Sequence, residues 1–203
     1  LNGKTLDFSE PHVMAIINVT PDSFYDGGKY NKQEFLEHKI EQALNEGASI
    51  IDIGGYSTRP GAIDISIEEE IKRVLPAIKI TKKYDVFISL DTFRSEVAKI
   101  GIAEGVDIIN DVSGGELDTK MYKTVANHPI AYVCMHMRGN PRTMESMNGY
   151  NDIVSDVYTY FERKITTLEA LNIKNIILDV GFGFAKTTEQ SFELLRNIDK
   201  FKT

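Results

Sequence analysis

Short apolar runs and amphipathic stretches alternate along the whole chain. The runs at Val13–Val19, Ser49–Ile53, Val86–Leu90, Asp107–Asn110, Ala131–Met135 and Asn175–Asp179 are rich in Ile and Val. Their near-continuous apolar character predicts strands buried on both faces. Between them, Gln33–Glu46 brings Phe35, Leu36, Ile40, Ala43 and Leu44 toward one face, and Ile67–Lys83 does the same with Ile71, Val74, Leu75, Ile78 and Ile80. That spacing predicts helices. Ser66, followed three residues later by Glu69, supplies a capping-box start for the second one. Further helices are predicted at Ser95–Glu104, Lys120–His128, Ile153–Leu171 and Glu189–Asp199. Six alternating strand–helix units predict an α/β fold with parallel strands joined by right-handed crossovers.

Two architectures share that alternation, the doubly wound open sheet and the (β/α)8 TIM barrel. No Gly-x-Gly-x-x-Gly follows the first strand, which weakens the dinucleotide-binding form of the open sheet. Polar residues recur at the strand C-terminal ends: Asn18, Asp52, Asp91, Asn110, His136 and Asp179. In a barrel these ends share one rim, where barrel active sites lie, whereas a doubly wound sheet concentrates its ligand at one switch point. The pattern favours the barrel. Asn2-Gly3 predicts that residues 1–11 form a small N-terminal hairpin over the barrel floor. A TIM barrel takes eight units and about 250 residues. With six units in 203 residues, the chain is expected to be a single, incomplete barrel domain spanning 1–203. It starts at Leu1, so it reads as trimmed.

The net charge of −7 and pI near 5.2 argue against general nucleic-acid binding. A few local Arg residues and helix N-termini still suffice for an anionic small molecule. Cys134 stands alone inside an apolar run, so it is expected to be a buried, inert thiol. No apolar run reaches the roughly 18 residues of a spanning helix, and no signal peptide is visible. No membrane association is expected, and a cytoplasmic location is.

Three strand ends carry the candidate chemistry. Asp91 ends Val86–Asp91, Asn110 ends Asp107–Asn110, and Asp179 ends Asn175–Asp179. A carboxylate, an amide and a second carboxylate converging on one pocket match the edge of an aminopyrimidinone ring, whose adjacent N–H donors suit a carboxylate's two oxygens. The same groups also suit helix N-caps; their recurrence at one rim favours a ligand. Asp52 and Asp111 read as structural. In Ser57-Thr-Arg-Pro-Gly61, Thr58 offers a hydroxyl and Arg59 a planar charged fork, both suited to phosphate. His136 is expected in a structural or supporting role. Phe182 and Phe184 suit either ring stacking or packing.

Asn18-Val-Thr-Pro-Asp-Ser-Phe24, Ser57-Thr-Arg-Pro-Gly61, Asp91-Thr92, Asn110-Asp-Val-Ser-Gly-Gly115 and Gly181-Phe-Gly-Phe184 together resemble the dihydropteroate synthase family from the first strand onward. The resemblance implies a (β/α)8 barrel that condenses 6-hydroxymethyl-7,8-dihydropterin diphosphate with para-aminobenzoate in folate biosynthesis. It implies pterin contacts from Asp91, Asn110, Val112, Met135, Asp179 and Phe184. Asn18 is implied near the diphosphate and its Mg²⁺. Phe24, Asp26, Thr58, Arg59 and Pro60 are implied in mobile loops that close around diphosphate and para-aminobenzoate, with Asp91, Arg59 and Asp26 the catalytic set. The implied mechanism is SN1-like substitution at the pterin methylene, and the full-length family member is implied to be a homodimer and a sulfonamide target. Tyr56 and Val180 depart from the family's usual residues. The family's last two strands, which carry further substrate contacts, have no counterpart here, so the chain alone is expected to be inactive. Two alternatives are a pterin-dependent methyltransferase barrel and a non-catalytic pterin-binding fragment. The Ser-Thr-Arg-Pro sequence speaks against the methyltransferase, since a methyl donor brings no diphosphate.

Overall fold

A computed structural model describes residues 1–20, 32–57, 63–140 and 143–202. Its strands are β1 (Met14–Asn18), β2 (Ile50–Gly54), β3 (Phe87–Asp91), β4 (Ile108–Asp111), β5 (Ala131–Met135) and β6 (Ile176–Asp179). They alternate with α1 (Lys32–Asn45), α2 (Ile67–Thr81), α3 (Ser95–Glu104), α4 (Met121–Val125), α5 (Ile153–Ala170) and α6 (Thr188–Arg196). The spatial order of the strands is their order in sequence, and every adjacent pair is parallel. A doubly wound sheet reverses direction at a switch point. This sheet never reverses, which is the winding of a TIM barrel.

Alternation along each strand separates two apolar layers. Ile17, Ile51, Ile53, Ile88, Leu90, Ile109, Tyr132 and Cys134 face the helices and are buried with Leu36, Ile40, Val74, Ile78 and Val97. The opposite, inner face carries Ile50, Ile108, Ala131 and Val133, with Met14, Phe87 and Ile177 packed against them. Close helix–sheet approach has a specific cause at α3. A Cβ on Gly101 would lie 2.3 Å from Leu90 Cδ2, so a glycine lets the helix settle onto β3.

Helix starts follow local chemistry. Ser66 Oγ accepts from Glu69 N at the head of α2, Asp152 accepts from Val154 N and Ser155 N at α5, and Thr187 forms a reciprocal capping box with Gln190 at α6. The largest departures from the predicted helices are at the C-terminal ends of α4 and α6. Helix α4 ends at Val125 rather than His128, because Ala126 turns to ψ 142° and Asn127 takes φ 63° just before Pro129. Helix α6 ends at Arg196 and gives way to a 3-10 turn at Ile198–Phe201.

Residues 1–11 form turns and contain no strand, so the predicted paired hairpin is corrected. Asn2 and Gly3 do take positive φ angles. The segment's hydrogen bonds go elsewhere than to a second strand: Asn2 N donates to Pro129 O at 2.9 Å, Asn2 Nδ2 to Val106 O at 2.9 Å, and Lys4 Nζ to Val86 O at 3.0 Å. These acceptors precede β5, β4 and β3. Leu1 and Leu6 pack on the inner-face cluster at that same end. The opposite end, where the strands' C-termini emerge, remains for the site. Among the described residues no helix is long and apolar enough to cross a membrane.

Candidate active site

Strand register builds the site. Asn18 pairs with Gly54, Gly54 with Asp91, and Asp91 with Asn110, giving one continuous row across four strands. The row lies on the inner face, in phase with Ile50 and Ile108. Asp179 belongs to the same face of β6, in phase with Ile177, and pairs with Met135. The structure thus brings Asn18, Asp91, Asn110 and Asp179 to one face at the strand C-terminal ends. Beside them, Val112, Met135, Met137, Met144 and Ala185 form a buried apolar cluster against which Phe93 and Phe184 pack. Phe24, Asp26, Thr58, Arg59 and Pro60 lie outside the described residues.

Gly54 is a cradle in this row. A Cβ there would stand 3.2 Å from Asn18 Oδ1 and 3.3 Å from Asp91 Oδ2. Two oxygen donors therefore face the same small space, a set that suits a hard cation such as Mg²⁺. Among the described residues no group of three or more His, Cys, Asp or Glu side chains is placed to hold a metal ion. Mg²⁺ commonly takes one or two protein oxygens and completes its shell with water and substrate phosphates, and the Asn18–Asp91 pair fits that habit.

The electrostatics of the row are those of crowded acids. Burial raises the Asp91 carboxyl well above its ordinary range, and the charges of Asp52, Glu70 and Asp111 add to the effect. Asp52 is raised by burial. Its Oδ2 accepts from Asn110 Nδ2 at 3.1 Å, while its Oδ1 and the neighbouring Ser89 Oγ are buried without a hydrogen-bond partner among the described residues. Asp52 therefore fixes the orientation of the Asn110 amide. Asp111 points to the helix side instead. It accepts from Ser113 N, Ser113 Oγ, Gly115 N and Tyr132 Oη, and so shapes the Asn110–Gly115 turn.

Asp179 uses one oxygen locally, Oδ1 accepting from Gly181 N at 2.8 Å. Its other oxygen has no protein partner among the hydrogen bonds of the described residues. Beside it, Lys186 Nζ donates to His136 O at 3.0 Å and Phe184 O at 2.9 Å, tying the turn that carries Phe184 to the end of β5. Burial lowers the Lys186 ammonium to about 7, against the pull of Asp179. His136 itself faces away from the row, with its ring 4.8 Å from Tyr160 and 6.5 Å from Phe161, edge-on to both. Cys134 is buried, and burial pushes its thiol up to about 12, which makes it inert. Phe182 is exposed, whereas Phe184 packs on the apolar cluster.

Three participants near the rim escaped the sequence reading. Glu70 Oε1 accepts from Thr92 Oγ1 at 2.7 Å and Glu70 Oε2 from Arg94 Nη1 at 3.0 Å, so a helix carboxylate supports the residue after Asp91. Its signal was available: Glu70, Val74 and Ile78 recur on one helical face, so a charge sits on an apolar stripe. Arg94 and Lys186 carried no such pattern.

A family profile described as pterin binding enzyme matches residues 14–203. The chain belongs to the pterin-binding enzyme family. Among relatives of this pterin-binding chain, the dihydropteroate synthase of Escherichia coli strain K12 is 40% identical over 202 residues, covering 98% of this chain and 71% of that protein. The folic acid synthesis protein fol1 of Pneumocystis carinii is 46% identical over 211 residues, covering 98% of this chain but 28% of that protein. The chain therefore spans well under half of that fungal relative and less than three quarters of the bacterial one. Among solved structures, Yersinia pestis dihydropteroate synthase in a sulfonamide drug complex superposes with TM-score 0.89 at 36% identity, covering 98% of this chain and 73% of that one. Xanthomonas albilineans dihydropteroate synthase with 4-aminobenzoic acid gives 0.86 at 36% identity, covering 95% and 69%. For this pterin-binding enzyme the barrel assignment rests on both the strand order and these superpositions.

Proposed function

We propose that the protein is a dihydropteroate synthase, forming 7,8-dihydropteroate and diphosphate from 6-hydroxymethyl-7,8-dihydropterin diphosphate and para-aminobenzoate. The observation that carries this reading is the convergence of Asp91, Asn110 and Asp179 on one face beside the Val112–Met135–Phe184 apolar cluster. A flat heterocycle with N–H groups on one edge needs this combination of acceptors and apolar walls. The solved relative bound to 4-aminobenzoic acid supports the second substrate.

In this reading Asp179 accepts from the pterin's N–H edge and Asn110, oriented by Asp52, completes the match. The C–O bond to diphosphate breaks, the electron pair leaves with the diphosphate, and the methylene cation is delocalised into the ring. The developing cation favours the ionised form of Asp91 against the burial that raises its carboxyl, and that carboxylate stabilises the positive charge at short range. The neutral aromatic amine then attacks the methylene and loses its proton. Mg²⁺ fits the Asn18 side of the row, and when bound it neutralises charge on the diphosphate. Phe24, Asp26, Thr58, Arg59 and Pro60 belong to the proposal through their sequence motifs, with Arg59 directed to phosphate. A cytoplasmic location and a homodimeric full-length protein are part of the same proposal. The test is formation of labelled 7,8-dihydropteroate from the two substrates by the natural protein that contains this chain. Product that depends on both substrates is expected; pterin binding without any product would overturn the assignment.

A further inference from the structure

The turn between β6 and α6, residues 181–186, brings Phe184 against the apolar cluster and leaves Phe182 exposed. Gly181, Gly183 and Ala185 take φ angles of 69°, 77° and 52°, so every second residue is left-handed. Glycine adopts such angles freely. Ala185 does so under strain, because its Cβ crowds the following carbonyl. The turn also presses on the end of β5, where a Cβ on Gly181 would lie 2.3 Å from His136 O. A turn with this much strain and crowding needs contacts that hold it.

Lys186 supplies them. Its Nζ donates to Phe184 O, inside the turn, at 2.9 Å and to His136 O, just past β5, at 3.0 Å. Burial favours the neutral amine here, and the charge of Asp179 opposes that tendency. A buried ammonium is costly unless its donors are used, and two of its three N–H groups go to these carbonyls. The other bonds made by Gly183 and Phe184 are longer. Phe184 N donates to Gly181 O at 3.1 Å, and Gly183 N to Ser191 Oγ at 3.3 Å. Neither is charge-assisted, whereas both bonds from Lys186 are.

We infer that Lys186 is a positioning residue, a latch that fastens the strained 181–186 turn to the end of β5 and so holds Phe184 as a wall of the pocket beside Asp179. Resting on the pterin reading of that pocket, the consequence is that Lys186 sets pterin affinity without touching the ring.

The test uses Lys186→Met in the natural protein that contains this chain, since methionine keeps the apolar stem and removes the donors. Lys186→Gln, which keeps two N–H groups on a shorter neutral stem, serves with the same readouts if the first variant is unstable. Amide hydrogen exchange without ligand judges the latch alone. Exchange at Gly183 and Phe184 is expected to speed up about tenfold, with the amides of α2 unchanged. Unchanged exchange at Gly183 and Phe184 would overturn the latch. Calorimetry with 6-hydroxymethylpterin judges its role in the pocket. Affinity is expected to fall about five- to thirtyfold, and in a Phe184→Leu background the same change should cost no more than about twofold. In turnover, the KM for the pterin diphosphate should rise about five- to thirtyfold while kcat stays within about threefold. Faster exchange with pterin affinity unchanged, or the full loss persisting beside Phe184→Leu, would overturn the pocket role. No pterin binding by the wild type would overturn the synthase reading and this role together, and the exchange data would still decide the latch.

Discussion

Acid should unfold this protein partly through one histidine. The His136 ring is buried among Tyr160, Phe161 and Tyr150, and its Nδ1 has no hydrogen-bond partner among the described residues. Burial, then the nearby charges of Lys186 and Arg138, lower its pKa to about 3 from the ordinary 6.5. Because the folded value is depressed, the unfolded chain binds the proton first. The stabilising contribution is complete above about pH 6.5 and drains as pH falls toward about 3. At about pH 5 the loss is about 2 kcal/mol, and below about pH 3 it approaches about 5 kcal/mol, comparable with the whole stability of many domains. The raised pKa values of Asp52, Glu70, Asp91 and Asp111 act in the opposite sense over this range, since the folded state takes up those protons more readily. A comparison isolates the histidine. His136→Phe keeps an aromatic ring in place and leaves untouched the bond that the backbone N of residue 136 donates to Asp179 O and the one its carbonyl accepts from Lys186 Nζ. Urea unfolding of both proteins at about pH 7.5 and pH 5, followed by circular dichroism, should show wild type losing about 2 kcal/mol more than the variant. Equal losses would refute the buried neutral histidine.

Gly54→Ala should leave the fold intact but weaken Mg²⁺-dependent binding of the pterin diphosphate, because its Cβ presses on Asn18 Oδ1 and Asp91 Oδ2; calorimetry with and without Mg²⁺ reads this, and unchanged Mg²⁺ dependence would count against the cradle. Gly101→Ala should destabilise the protein by about 1–3 kcal/mol despite alanine's better helix propensity, since its Cβ would collide with Leu90; a raised melting temperature would show that α3 shifts freely. Arg59→Ala should cut turnover by roughly tenfold to a thousandfold while sparing binding of a pterin without diphosphate; equal losses in both assays would point to a different role.

Much of the architecture was legible because most strands are compact runs rich in Ile or Val and the first two helices each carry an apolar stripe. Polar residues at the strand ends told barrel from doubly wound sheet, and the monotonic strand order agrees with that choice. The hairpin at residues 1–11 failed because Asn2-Gly3 encodes a turn but not the partner. Leu1 and Leu6 find burial against strands distant in sequence. Helix α4 was overextended because Asn127 takes a left-handed conformation that the apolar spacing does not register. At the site, residue types and strand phase placed Asp91, Asn110 and Asp179 on one face. The supports of that face were harder to read. Lys186 acts by donating to two backbone carbonyls, and Arg94 reaches across from another unit, and neither relation leaves a local pattern in the sequence.

In the proposed function, the inner face of this barrel reads the N–H edge of a pterin through Asp179. Asp179→Asn retains an oxygen for Gly181 N and exchanges the remaining acceptor for a donor, so the loop is kept while the match to the ligand is reversed. Calorimetric titration of the protein and this variant with 6-hydroxymethylpterin measures the difference directly. Saturable binding by the wild type, weakened in the variant by about 2–3 kcal/mol, is the predicted result. Affinities equal within about twofold, with both proteins folded, would contradict it.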